Sequence, residues 1–296
     1  MLLCALGLAV ACAAFLAFEL RYFHYAERWT HPSRKAITTA EHEDAQTRLP
    51  TMRDVAFKTS DGVEIRGWYV PSRNGATVVF GHGLGENRVR FVPDAEFLAR
   101  HGYGSLLFDW RANGESGGDV ATWGDLEQRD LTAAVDFALV QPDVDGARLA
   151  AAGFSIGAST VAMVAANDTR IRAVILMAVW TSLEDELDYK FRRYGFLSRW
   201  PATEGFRREG VHFGAIRPID VVGRIAPRPI LFIGGSADSD TPPWVIDRVF
   251  AAAGPPKSRW TAPGADHGFF RVVAPAEYER TIVSFLDDAF FPKSRP

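Results

Sequence analysis

From residue 52 onward, short apolar runs alternate with stretches of helical period, and this alternation limits the possible folds more than any other feature of the chain. Runs at 77–80, 105–108, 149–153, 173–177, 230–233 and 259–261 read as strands, and amphipathic stretches near 88–101, 124–140, 156–166, 243–254 and 275–289 read as helices. Most of these strands are apolar at every position. Such strands are buried on both faces, so the pattern predicts an α/β fold with a mostly parallel central sheet flanked by helices. Ahead of it, Val55-Ala56-Phe57 and residues 63–70 flank Asp61-Gly62 and read as a hairpin.

Two segments break the pattern. Residues 181–226 mix aromatics (Tyr189, Phe191, Tyr194, Phe196, Trp200, Phe206, Phe213) with Arg192, Arg193, Arg199, Arg207 and Arg208, and read as a helical cap inserted between two strands. Residues 1–18 carry no charged side chain. As a helix they would reach roughly 27 Å against a hydrocarbon core of ~30 Å. The alternatives are a cleaved signal peptide and a retained anchor. No Lys or Arg precedes the run, as a signal peptide's first region would require, so a retained anchor in the membrane lipid is expected. The expected division is therefore a transmembrane anchor over 1–20, a juxtamembrane linker over 21–51, helical in part through 40–48, and one globular domain over 52–296. Arg21, Arg28, Arg34 and Lys35 all follow the span, which places the domain on the cytoplasmic side.

Charge and cysteine content exclude several functions. Thirty-three basic and 36 acidic residues leave a net charge of −3, with no basic excess to bind a nucleic-acid backbone. Both cysteines, Cys4 and Cys12, lie in the apolar run, so the globular part has no disulfide, no thiolate metal site and no cysteine nucleophile.

The chemistry is carried by Gly153-Phe154-Ser155-Ile156-Gly157, which follows an apolar strand and opens a helix of small residues. A G-x-S-x-G at a strand-to-helix turn is a nucleophile elbow, with the serine hydroxyl exposed at its apex. A serine needs a base and an orienting carboxylate to attack near neutral pH. His267, in the loop Pro263–Phe269 between the last strand and the last helix, is the expected base. The carboxylate is expected between serine and histidine in chain order. Asp238 and Asp240 both follow the strand at 230–233. Asp238 lies nearer the strand end and is the expected orienter, whereas Asp240 suits the cap of the helix near Pro243. Gly81-His82-Gly83-Leu84-Gly85 follows another strand, and the backbone N–H of Leu84 would join that of Ile156 in holding an oxyanion. His82 reads as a structural histidine of that loop.

With these motifs in place, residues 52–290 resemble an α/β-hydrolase. The resemblance rests on H-G-L-G at 82–85, Asp109–Gly118, G-F-S-I-G at 153–157, G-G-S-A-D at 234–238 and D-H-G at 266–268. Within that superfamily the chain is most similar to membrane-anchored Bem46-like hydrolases and to the serine aminopeptidase S33-like domain. The 109–118 segment is similar to a family D-x-R-G-x-G-x-S motif, with Ala112 where glycine is usual. The resemblance implies Ser155 as nucleophile, Asp238 as orienter and His267 as general base, with Leu84 and Ile156 at the oxyanion. It implies a serine hydrolase for the ester, thioester or amide bond of a small acyl substrate, with no metal and no organic cofactor. An esterase or thioesterase is expected first; a serine aminopeptidase or a non-catalytic binding member of the fold are the alternatives.

Overall fold

A computed structural model of the chain describes residues 2–191 and 196–292. Its centre is one eight-stranded sheet of β1 (Arg53–Lys58), β2 (Glu64–Val70), β3 (Thr77–Gly81), β4 (Gly104–Phe108), β5 (Leu149–Phe154), β6 (Ala173–Met177), β7 (Ile230–Gly235) and β8 (Lys257–Ala262), in the order β1-β2-β4-β3-β5-β6-β7-β8. The first two strands form the expected hairpin and join β4 antiparallel; every pairing from β4 to β8 is parallel.

Eleven helices surround it among the described residues: α1 (Leu2–Thr30), α2 (Thr39–Arg48), α3 (Val92–Arg100), α4 (Glu127–Leu139), α5 (Ile156–Ala165), α6 (Leu183–Phe191), α7 (Phe196–Arg208), α8 (Pro218–Val221), α9 (Pro243–Ala252), α10 (Phe270–Val273) and α11 (Pro275–Phe290). Alternate side chains of a strand point to opposite faces. Val78 and Phe80 accordingly pack with α3 and α11, and Val79 packs with α4, α5 and α9. Because β3, β5, β7 and β8 are parallel, the loops that follow them all open on one edge of the sheet. That edge receives Gly81–Asn87, Ser155, Ser236–Thr241 and Pro263–Phe269.

A third apolar cluster forms the cap and draws on the N-terminal helix. Ala26 is buried in it with Trp123, Trp180, Phe191 and Phe206, and Phe18, Tyr25 and Trp29 pack against it. Residues 21–51, read from the sequence as a linker, are therefore largely folded structure. α1 runs unbroken to Thr30 because positions 18, 25, 26 and 29 fall on one helical face and find an apolar partner there. α2 opens with a reciprocal cap: Thr38 Oγ1 accepts the Glu41 N–H, and the Glu41 carboxylate accepts the Thr38 N–H. Ala45 and Leu49 then enter the core. α1 is long and apolar enough to cross a membrane, and Leu6, Leu8, Val10, Phe15, Leu16 and Leu20 on it are exposed. Arg192, Arg193 and Tyr194 of the aromatic and basic mixture lie outside the described residues.

Candidate active site

Only Ser155 separates the end of β5 from the start of α5. Its backbone sits at φ 54°, ψ −117°, a region that costs a non-glycine residue on the order of 1–3 kcal/mol. The surroundings enforce it. The Ser155 N–H donates to Met177 O at 2.8 Å. A Cβ on Gly153 would lie 2.3 Å from the backbone of Gly157, and one on Gly157 would lie 2.1 Å from Gly81 O. The two glycines of the motif thus let β5, α5 and β3 approach within backbone contact. As the first residue of α5, Ile156 has an N–H with no intrahelical acceptor.

His267 and Asp238 meet across the neighbouring loops. His267 Nδ1 lies 2.9 Å from Asp238 Oδ2 and 3.1 Å from Oδ1. The Asp238 carboxylate is buried and also accepts the backbone N–H groups of Asp240 at 3.0 Å and Thr241 at 2.7 Å. An acceptor-only partner at Nδ1 assigns the ring proton there and leaves Nε2 free to accept. Asp240 has a different surrounding: its side chain is half exposed and lies 3.7 Å from Lys190 Nζ. It does not cap α9, whose N-cap is Pro242, because the chain between β7 and α9 turns on the Asp238 carboxylate instead.

Ser155, Leu84, Ile156 and His267 line one cleft of about 440 Å³. Among the described residues no hydrogen bond joins Ser155 Oγ to the imidazole. The imidazole packs at 4.7 Å from the Phe154 ring, and the Arg90 guanidinium lies 3.6 Å over that same ring. Arg90 pairs with Glu86 Oε1 at 2.6 Å, and Glu86 Oε2 accepts the Gly83 N–H at 2.9 Å. The loop bearing Leu84 is thereby tied to the wall beside His267.

His82 has the structural role its position suggests. It is buried, its Nδ1–H donates to Gly83 O at 2.7 Å, and its Nε2 accepts the Trp110 N–H at 3.2 Å. Burial holds its pKa below the ordinary value of 6.5, so the ring stays neutral. The 109–118 segment braces the same loop from behind. Asp109 accepts the Arg88 N–H at 2.7 Å and the Arg88 guanidinium at 2.6 Å, both out of solvent, and the Glu115 N–H at 2.9 Å. Ala112, where glycine is usual in the motif, adopts the left-handed φ of 57° that explains the preference.

The sequence reading missed the remaining cleft walls. Trp29, Trp123 and Trp180 form one of them; Glu186, Lys190 and Asp240 form another. Burial pushes the Glu186 carboxyl up against the opposing Lys190, which lies 3.2 Å away. Glu186 and Lys190 are an i, i+4 pair, which in a sequence looks like any exposed helix pair.

Residues 72–204 match the model of a protein family described as serine aminopeptidase, S33. The matched span holds the Leu84 loop and Ser155; Asp238 and His267 lie beyond it. The protein Rv2307c of Mycobacterium tuberculosis (strain ATCC 25618 / H37Rv) is 33% identical over 234 residues, which cover 75% of each chain. The protein YfhR of Salmonella typhimurium is 26% identical over 256 residues, covering 79% of this chain and 82% of that one. Among solved structures, the Pyrococcus furiosus esterase Pf2001 superposes with a TM-score of 0.72 at 25% identity, over 88% of this chain and 98% of the other.

Proposed function

Because the chain belongs to the α/β-hydrolase superfamily, we propose that it is a serine hydrolase that cleaves an acyl ester or thioester through Ser155, His267 and Asp238. The observation that carries this reading is the buried Asp238 carboxylate on His267 Nδ1, on the same cleft as a serine held at a strained elbow. Similarity to an esterase over most of both chains supports the reaction class.

In this reading Ser155 Oγ attacks the acyl carbonyl carbon while His267 Nε2 takes the hydroxyl proton. Asp238 fixes the tautomer and stabilises the imidazolium. The carbonyl oxygen gains negative charge and is held by the N–H groups of Leu84 and Ile156. Collapse expels the alcohol or thiol, which leaves with the proton from His267. Water then attacks the acyl-enzyme, gives its proton to His267, and the acid departs as Ser155 is restored. The apolar run of α1 anchors the chain in a membrane, and the basic residues that follow it hold the hydrolase domain on the cytoplasmic side.

A fluorophosphonate probe is expected to label Ser155. Ser155→Ala should abolish labelling and lower kcat by about a thousandfold or more while leaving the circular dichroism unchanged. An intact chain that neither labels at Ser155 nor turns over any ester, thioester or aminoacyl amide would be a binding protein on this fold. Preference for aminoacyl amides over esters would move the activity to a peptidase.

A further inference from the structure

The last turn of α1 belongs to the cleft. We propose that Trp29 is a specificity-determining residue: it completes an indole wall against which the acyl chain of the substrate lies, so the N-terminal helix helps set which acyl groups are cleaved. This rests on the hydrolase reading above and adds a substrate class to it, an acyl group long enough to lie along the wall.

The wall is continuous. Trp29 meets Trp123 with ring centroids 6.1 Å apart at 73°, and Trp123 meets Trp180 at 6.5 Å and 64°. All three line the cleft that holds Ser155. Trp123 and Trp180 are almost wholly buried, whereas Trp29 is half-buried.

Trp123 is held rigidly. Its backbone lies at φ 61°, a conformation a bulky residue adopts only under constraint. The constraint is the buried Glu127 carboxylate, which accepts the N–H and hydroxyl of Thr122, each at 2.7 Å, and the Gly124 N–H at 2.8 Å. A strained, clamped tryptophan facing a cleft is a positioned surface for a ligand.

Trp29 is registered on that surface through the end of its own helix. The final carbonyls of a helix lack intrahelical donors. Here the Trp29 carbonyl accepts the Trp123 indole N–H at 3.3 Å, and the Thr30 carbonyl accepts the Ala121 N–H at 2.7 Å. Tyr25 packs edge-on against Phe191 at 5.1 Å, and His31 lies 3.4 Å from Glu209. The same loop that carries Trp123 therefore fixes where Trp29 sits.

Glu186, Lys190 and Asp240, which also line the cleft, are charged. An apolar chain in the cleft gains by lying on the indoles and loses by displacing solvent from the charges. On this assignment the longer acyl chains lie on the indoles and an acetyl group stays beside Ser155.

The test measures kcat/KM of the full-length chain for a series of soluble nitrophenyl esters from acetyl to decanoyl. Trp29→Ala is expected to lower kcat/KM for the longer esters by about tenfold or more relative to acetyl, a size in keeping with a lost apolar wall. Trp29→Phe, which keeps an aromatic face and helix packing, should restore much of the preference. An equal loss at every chain length in Trp29→Ala, or an unchanged profile in both variants, would overturn the assignment. If the parent labels at Ser155 and cleaves esters but the profile does not shift, only the wall is wrong. If the parent does neither, the hydrolase reading fails first and takes the wall with it.

Discussion

Asp238 and Asp240 stand two positions apart and differ in every physical respect that matters to catalysis. One is buried against His267 Nδ1 and receives two backbone N–H groups; the other is half exposed beside Lys190. Asp238→Asn keeps an acceptor for the backbone but favours the wrong imidazole tautomer. It should lower kcat by about ten-thousandfold, the size of such a change in other serine triads. Asp240→Asn should cost at most a small part of that. Steady-state kinetics on one ester compares them, and equal losses would remove Asp238 from its proposed role. Gly157→Ala tests the elbow. The added Cβ would lie 2.1 Å from Gly81 O and 2.7 Å from His82 O, both backbone atoms that cannot swing aside. A loss of more than about 3 kcal/mol in urea unfolding is expected, in the range of severe overpacking. His82 gives a pH dependence. Its folded pKa is depressed below 6.5 by burial, so below that value the unfolded chain binds a proton that the folded chain refuses. Stability therefore falls as pH drops through 6.5 toward the folded value. Melting temperatures taken at about pH 8 and about pH 5 should show this fall in the parent and a shallower one in His82→Gln, whose amide does not titrate.

At the scale of elements, the sheet and its crossover helices were legible because apolar strands and amphipathic helices differ in period. The elbow was legible for a related reason. Its five residues sit between a strand and a helix that each announce themselves, and the chain order of serine, acid and histidine then limits the partners. The cleft walls were not legible. Trp29 lies among Glu27, Arg28 and His31, and nothing in that local string says that positions 18, 25, 26 and 29 face a cluster assembled from residues between 123 and 245. Glu186 and Lys190 were hidden likewise, since burial of a polar pair depends on what is folded over it. The α1–cap contact is open to test by truncation. A chain beginning at residue 18 keeps every docked position of α1 and should melt close to the full-length protein in detergent. A chain beginning at residue 38 uncovers Trp123, Phe191 and Phe206, removes the Thr30 carbonyl from Ala121 and His31 from Glu209, and should lose on the order of several kcal/mol of stability. Dye binding to exposed apolar surface would report the difference. Equal melting of the two chains would make α1 a tether that merely touches the cap.

For the molecule as a whole, the question is how the apolar run relates to the cleft. α1 has 29 residues, so it extends about 43 Å at 1.5 Å per residue, longer than the ~30 Å hydrocarbon core. Among the described side chains its large exposed apolar residues run to Leu20, and the residues that pack on the cap begin at Phe18. With the apolar run embedded as proposed, the helix is partitioned between two environments: lower turns in lipid, upper turns on the cap. From Phe18 to Trp29 is about 16 Å along the axis, which exceeds the several ångströms of head-group region on one side of a bilayer. The cleft then stands clear of the lipid surface, and attachment and catalysis should be separable. Leu8→Arg with Val10→Arg places two charges mid-run, where both side chains are exposed on α1 and where each arginine costs about 3 kcal/mol on insertion. The parent should pellet with membranes, resist alkaline carbonate, and retain residues 4–20 by intact mass. The double variant should be released while its kcat/KM on soluble esters stays within about twofold, because no docked turn of α1 is touched. A parent chain whose mature mass lacks the run would make it a cleaved signal. A released variant that has lost hydrolysis would mean that the lipid-facing turns and the cleft are one cooperative unit, and that the tryptophan wall is ordered only when the helix below it is embedded.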